Sequence, residues 1–169
     1  MPAIPITYCE ETMTGFEYAL AGLMISEGYI AEGESMVKAV RDRYDGKKRN
    51  PWNEIECGSN YARSMASYAL MPIYSGFSFD MTKRHIGFSP IREGKYLFSA
   101  CDSWGTVELC NGRCELSILG NALRLNSISL PDTVKPTSVK VDGETVDFTL
   151  AGGKILLSDI EIRKELSIR

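Results

Sequence analysis

Hydrophobic positions along this chain follow two periods, one before Pro90 and one after it. In the first part, apolar residues recur every three to four positions, as one face of a helix requires. Phe16, Leu20, Leu23 and Met24 form one such stripe, opened by a capping box at "TGFE", Thr14 to Glu17, and ended near Gly28. A second helix is predicted over about 31–44, with Met36, Val37, Val40 and Tyr44 on one face and Asp45-Gly46 as the stop. A third is predicted from an N-cap at Asn60, carrying Met65, Tyr68 and Ala69 inward until Pro72 ends it.

After Pro90 the period is two. Val107 and Leu109, then Cys114, Leu116 and Ile118, then Leu123 and Leu125 alternate with polar residues. The same holds for Val139 and Val141, for Val146, Phe148 and Leu150, and for Ile160 and Ile162. Two dipeptides fix hairpins: "NG" at Asn111-Gly112 pairs Cys110 with Arg113, and "DG" at Asp142-Gly143 pairs Val141 with Glu144. Such alternation describes an antiparallel sheet with one wet face, closed into a sandwich by a second sheet. The expected class is α then β (α+β), with a helical segment over 1–90 and a β-rich region over 91–169. The helical stripes are wider than three helices can cover on one another, so residues 14 to 44 are expected to expose apolar surface or to oligomerise, as the end of something larger would.

Composition removes several function classes. A chain of 169 residues with net charge −3 carries no basic footprint for nucleic acid, and "GKKR" at Gly46 to Arg49 is too short to supply one. No apolar run reaches the roughly 18 residues of a membrane span, and "MPAIPITYCEE" lacks the basic start and apolar core of a signal peptide. A cytoplasmic location is therefore expected. Five cysteines do not make a disulfide framework, and Cys110 and Cys114 face opposite sides of their ribbon, against a bridge or a shared metal. The single histidine, His85, reads as a surface or edge residue beside a turn, and neither a metal site nor a cofactor is expected.

The stretch "NPWNEIECGSNYARSMASYA", Asn50 to Ala69, is the one that carries chemistry. It sets Glu54 and Glu56 in a loop that opens a helix with Arg63 in its first turn, where the helix dipole disfavours a cation. A carboxylate facing Arg63 resolves that, either as a packing ion pair or as a pair that holds a ligand. Trp52 and Tyr61 read as core aromatics and Cys57 as a small buried hydrophobe.

These residues, continued to "LMPIYSGFSFD", closely resemble the C-terminal signature of glycoside hydrolase family 116, the non-lysosomal glucosylceramidases and bacterial β-glucosidases. The segment "EETMTGFEYALAGLMISEGYIAEGESMVKAVRDRYDG" resembles the helix pair before that signature, so the resemblance covers roughly Tyr8 to Pro90. It implies that the helices are the last of an (α/α)6 toroid. It further implies that Glu54 and Arg63 hold sugar hydroxyls in the −1 subsite, with Glu11 as a further pocket glutamate. Met13 and Asn60 stand where that pattern carries tryptophan and histidine. The family's two catalytic carboxylates lie upstream of the signature, so none is assigned here. The implied function is the C-terminal fragment of a β-glycosidase, acting on a β-glycoside with the N-terminal remainder of the catalytic domain as partner. The alternative is a self-standing carbohydrate-binding or interaction module.

Overall fold

The computed structural model describes residues 13–43, 47 and 63–169, with only the backbone at Arg63 and Ser64. It is α+β and mostly β: short helices, then two largely antiparallel sheets. The chain divides into two compact units, Met1–Leu70 and Met71–Arg169.

In the first unit, α1 spans Thr14–Ser26 and α2 spans Ile30–Arg43. The expected capping box does not form. Met13 occupies the cap position without a side-chain bond, and Glu17 instead forms an ion pair with Arg43 of α2. The end of α1 follows the glycine signal: Gly28 adopts φ +90°, its N–H donates to Ile25 O, and that of Tyr29 donates to Met24 O. The expected stripe is corrected too. Phe16 and Leu23 are 68% and 57% exposed, and Tyr18, Ala21, Gly22 and Ile25 form the buried face. The reason is size. A Cβ on Gly33 of α2 would lie 2.6 Å from Ile25 Cγ1 and 2.8 Å from Ala21 O, so the side chain that Gly33 lacks lets α2 close onto the Ala21–Ile25 face of α1.

Residues Arg63–Ala69 form a 3₁₀ helix, continued by α3 at Leu70–Ser75. Met65, Tyr68 and Ala69 are exposed rather than inward, because three residues per turn put different positions on one face than 3.6 do. Pro72 does not end the helix. It sits in the first turn of α3, where a missing N–H breaks no intrahelical bond. The stop is Gly76, at φ +56°, with Gly76 N donating to Ile73 O and Phe77 N to Pro72 O.

The second unit holds eleven strands: β1 Ser78–Asp80, β2 His85–Gly87, β3 Gly94–Ala100, β4 Ser103–Cys110, β5 Arg113–Ile118, β6 Leu123–Ser129, β7 Val139–Val141, β8 Glu144–Val146, β9 Thr149–Ala151, β10 Lys154–Ile162 and β11 Glu165–Ile168. One sheet runs β1-β2-β6-β10-β9 and the other β3-β4-β5-β11-β7-β8. All pairs are antiparallel except β2 with β6, a parallel pair whose connection passes through three strands of the other sheet. Both hairpins have the expected register, Cys110 opposite Arg113 and Val141 opposite Glu144. Asn111, Gly112, Asp142 and Gly143 all take the left-handed backbone that such two-residue turns need.

The core lies between the sheets. Ile86, Leu125, Ile128 and Ile162 come from one, and Phe98, Val107, Leu116, Leu166 and Ile168 from the other. Phe77, Phe88 and Phe98 add ring contacts with centroids 5.2 to 6.1 Å apart. Gly105 is required in β4, because a Cβ there would lie 1.9 Å from Ser117 O of β5. β2 is flanked on both sides, so His85 is not at an edge as expected.

Candidate functional site

Three residues were expected to hold a sugar. Glu11 and Glu54 lie outside the described residues, and Arg63 is the first residue of the 3₁₀ helix, described by its backbone alone. Two groupings of polar side chains stand out elsewhere, both in the second unit.

The first is a polar row on the outer face of the five-stranded sheet. Strand pairing sets Asp80 opposite His85 and His85 opposite Ser127, so three side chains line up across β1, β2 and β6. His85 Nδ1 is 2.8 Å from Ser127 Oγ, and Nε2 is 3.5 Å from Ser129 Oγ. Partial burial, and then the Lys154 ammonium, lower the imidazole pKa, so the ring is neutral near pH 7. Asp80 does not orient it. Its carboxylate is bound by Lys83 at 2.7 Å and by Thr82, which pull its pKa down to about 2. A nucleophilic serine needs a base that a third group holds in place; Ser127 is buried and its histidine sits between two hydroxyls. The row therefore acts as a polar clasp joining β2 to β6.

This clasp went unread in the sequence. The signal is "NSIS" at Asn126 to Ser129, where two serines separated by one buried isoleucine must share the face opposite the core.

The second grouping is a cleft of about 260 Å³ between the 130–136 segment and the β9–β10 hairpin. Leu130, Val134, Pro136 and Ile155 line it with apolar surface, and Lys135, Lys154 and Asp132 stand at it. Gly152 and Gly153, both left-handed, make the two-residue turn beside it. The cleft's volume lies below the usual range of drug-sized pockets.

Among the described residues, no group of three or more His, Cys, Asp or Glu side chains is placed to hold a metal ion. No helix among them is long and apolar enough to cross a membrane.

No family model and no curated protein matches the chain. Among solved structures, it is similar to a GH127 β-L-arabinofuranosidase from Geobacillus stearothermophilus T6, at 15% identity and a TM-score of 0.39. The match covers 77% of this chain and 22% of that one, so the chain spans about a fifth of that enzyme's length.

Proposed function

We propose that this chain is the C-terminal segment of a cytoplasmic β-glycosidase of the glucosylceramidase and β-glucosidase type. In this reading residues 1–90 complete an (α/α)6 toroid and 91–169 form the β-rich region that follows it in the chain. Glu54, Arg63 and Glu11 line the −1 subsite, and the catalytic carboxylates belong to the upstream part of the domain.

The observation that carries the reading is the "NEIECGSNYAR" signature, whose chemistry fits the role. A glutamate accepts from two sugar hydroxyls while an arginine donates to a third, and each neutralises the other in the empty pocket. A retaining glycosidase needs such neighbours beside two carboxylates about 5 Å apart, because hydrogen bonds that strengthen in the transition state lower the barrier. The outward face of α1 gives separate support. Phe16, Leu20 and Leu23 lie exposed on a helix that is apolar all round, a pattern suited to burial against further helices.

The test uses the complete enzyme. Glu54→Ala or Arg63→Ala should weaken binding of a glucose-configured inhibitor by roughly 1.5 to 3 kcal/mol, the scale of a hydrogen bond to a charged group, with the melting temperature nearly unchanged. This chain alone should not turn over aryl β-glucosides. Unchanged inhibitor affinity in both variants, or turnover by the isolated chain that a carboxylate substitution within it abolishes, would overturn the reading.

A further inference from the structure

Strand β4 carries an exposed aromatic ring that the proposed −1 subsite does not use. Trp104, the second residue of β4, is 46% exposed on the outer face of the six-stranded sheet. Its position is fixed from two directions. Leu119 N and Gly120 N both donate to its carbonyl oxygen, at 2.9 and 3.0 Å, tying β4 to the β5–β6 connection. The indole lies directly against Gly120, where a Cβ would come within 2.4 Å of Cδ1 and 2.5 Å of Nε1. Only glycine leaves room for the ring there, so the indole is held in place before any ligand arrives.

Polar groups stand beside it on the same two loops. Asp102, in the β3–β4 turn, accepts a hydrogen bond from Asn121 Nδ2 at 3.4 Å. That contact is long for a hydrogen bond, and it leaves a carboxylate oxygen, an amide oxygen and a second amide N–H for another molecule. The chain thus sets an exposed indole packed on Gly120 next in sequence to side chains that both donate and accept, Asp102 two residues before Trp104 and Asn121 directly after Gly120.

We propose that Trp104, Asp102 and Asn121 form a surface subsite for a neutral saccharide. A pyranose has the matching two-sided chemistry: a face of C–H groups that covers an indole, and equatorial hydroxyls that both donate and accept at its rim. Other ligands fit less well. A nucleic acid would bring phosphates towards Asp102 on a chain whose net charge is −3. A wholly apolar partner would strand the Asp102 and Asn121 groups without water. A single ring beside one carboxylate is also less than the cage of several aromatics that selects a quaternary ammonium.

The experiment is affinity electrophoresis of the intact chain in gels containing soluble hydroxyethylcellulose, laminarin, xylan or arabinan. At least one polysaccharide should retard the wild-type chain. Trp104→Ala should weaken that retardation by about tenfold, as loss of a stacking contact implies. Asp102→Ala combined with Asn121→Ala, which leaves the indole seat on Gly120 intact, should weaken it by a similar factor, and this variant decides the matter if Trp104→Ala does not fold. In the complete enzyme the Trp104 and Asp102/Asn121 variants should keep wild-type affinity for the glucose-configured inhibitor, which separates this surface from the proposed −1 subsite. The proposal is overturned if none of the four polysaccharides retards the chain, if the Trp104 and Asp102/Asn121 variants keep wild-type retardation, or if those variants weaken inhibitor binding by the same factor.

Discussion

Asp142 holds two turns with one side chain, and its removal gives a sharp test of the physical account of the β unit. It is the first residue of the β7–β8 turn, at φ 51°, and its carboxylate accepts from the backbone N–H groups of Arg163, Lys164 and Glu165 at 3.0, 2.8 and 2.9 Å. Its own N–H donates to Glu165 O at 2.9 Å. The β10–β11 turn is thereby fastened to the neighbouring hairpin much as a side chain caps a helix. In Asp142→Ala, three N–H groups return to water at an exposed turn, so the full strength of three charged hydrogen bonds is not lost. The closest measured analogue is loss of a helix N-cap, which together with the left-handed backbone now imposed on alanine sets the expected cost at about 1 to 2 kcal/mol. Asp142→Asn keeps an acceptor and tolerates the left-handed backbone, so it should cost less.

The pH dependence has a definite sign. Burial acts to raise the carboxyl pKa, but the three backbone N–H bonds outweigh it and the folded value lies below the ordinary one. Its contribution is therefore present above the unfolded value near 3.9 and disappears as pH falls through the lower folded value. The assay is urea unfolding of the full chain, followed by Trp104 fluorescence in a Trp52→Phe background at pH 7 and at steps below pH 4. A stability gap between wild type and Asp142→Ala below about 0.3 kcal/mol at pH 7, or one that widens on acidification, would refute the reasoning.

Three further outcomes are expected. Gly105→Ala should destabilise the β unit by about 3 kcal/mol in the same urea assay, since its Cβ meets a backbone carbonyl that can move only by opening the β4–β5 pair; a cost under 1 kcal/mol would show that the strands separate easily. Iodoacetamide at neutral pH should label Cys101 fastest in peptide mass spectra, Cys110 more slowly because partial desolvation and Glu93 raise its thiol pKa, and spare Cys114 until the protein unfolds, because burial, with Glu115 beside it, pushes the Cys114 thiol up to about 12. Light scattering should show self-association of the isolated chain that Phe16→Glu with Leu23→Glu reduces, and a stable wild-type monomer at low concentration would count against the exposed α1 face as an assembly surface.

What the sequence disclosed depended on how local its physics was. The Asn111-Gly112 and Asp142-Gly143 hairpins were legible with their register, since turn residues and two-residue alternation determine both within a few positions. The Gly28 stop of α1 was equally plain. The inward face of α1 was not, because a helix apolar on every side offers several stripes, and Gly33 on another helix selected among them. The three-residue turn of 63–69 was hidden for a similar reason, its sequence allowing either helix type. Strands β1 and β2 are three residues each, too short to show a period, and only their pairing beside β6 reveals that His85 stands among serines. The residues expected to bind a sugar were read from a resemblance, and only the backbone of Arg63 among them falls within the described structure.

Strand β11 has a consequence for how the protein comes into being. It lies between β5 and β7, with Leu166 and Ile168 wholly buried, and no other hydrogen-bonded pairing links the β3-β4-β5 meander to the β7-β8 ribbon in that sheet. Until residues 165–168 are in place, the two halves of the sheet are separate pieces with facing open edges. A nascent chain held on the ribosome short of Glu165 would expose those edges to pairing with other chains, and loop closure over about fifty residues must precede the reward for inserting the strand. The assembly step that joins these halves is thus the slow and vulnerable one, and it hangs on four residues.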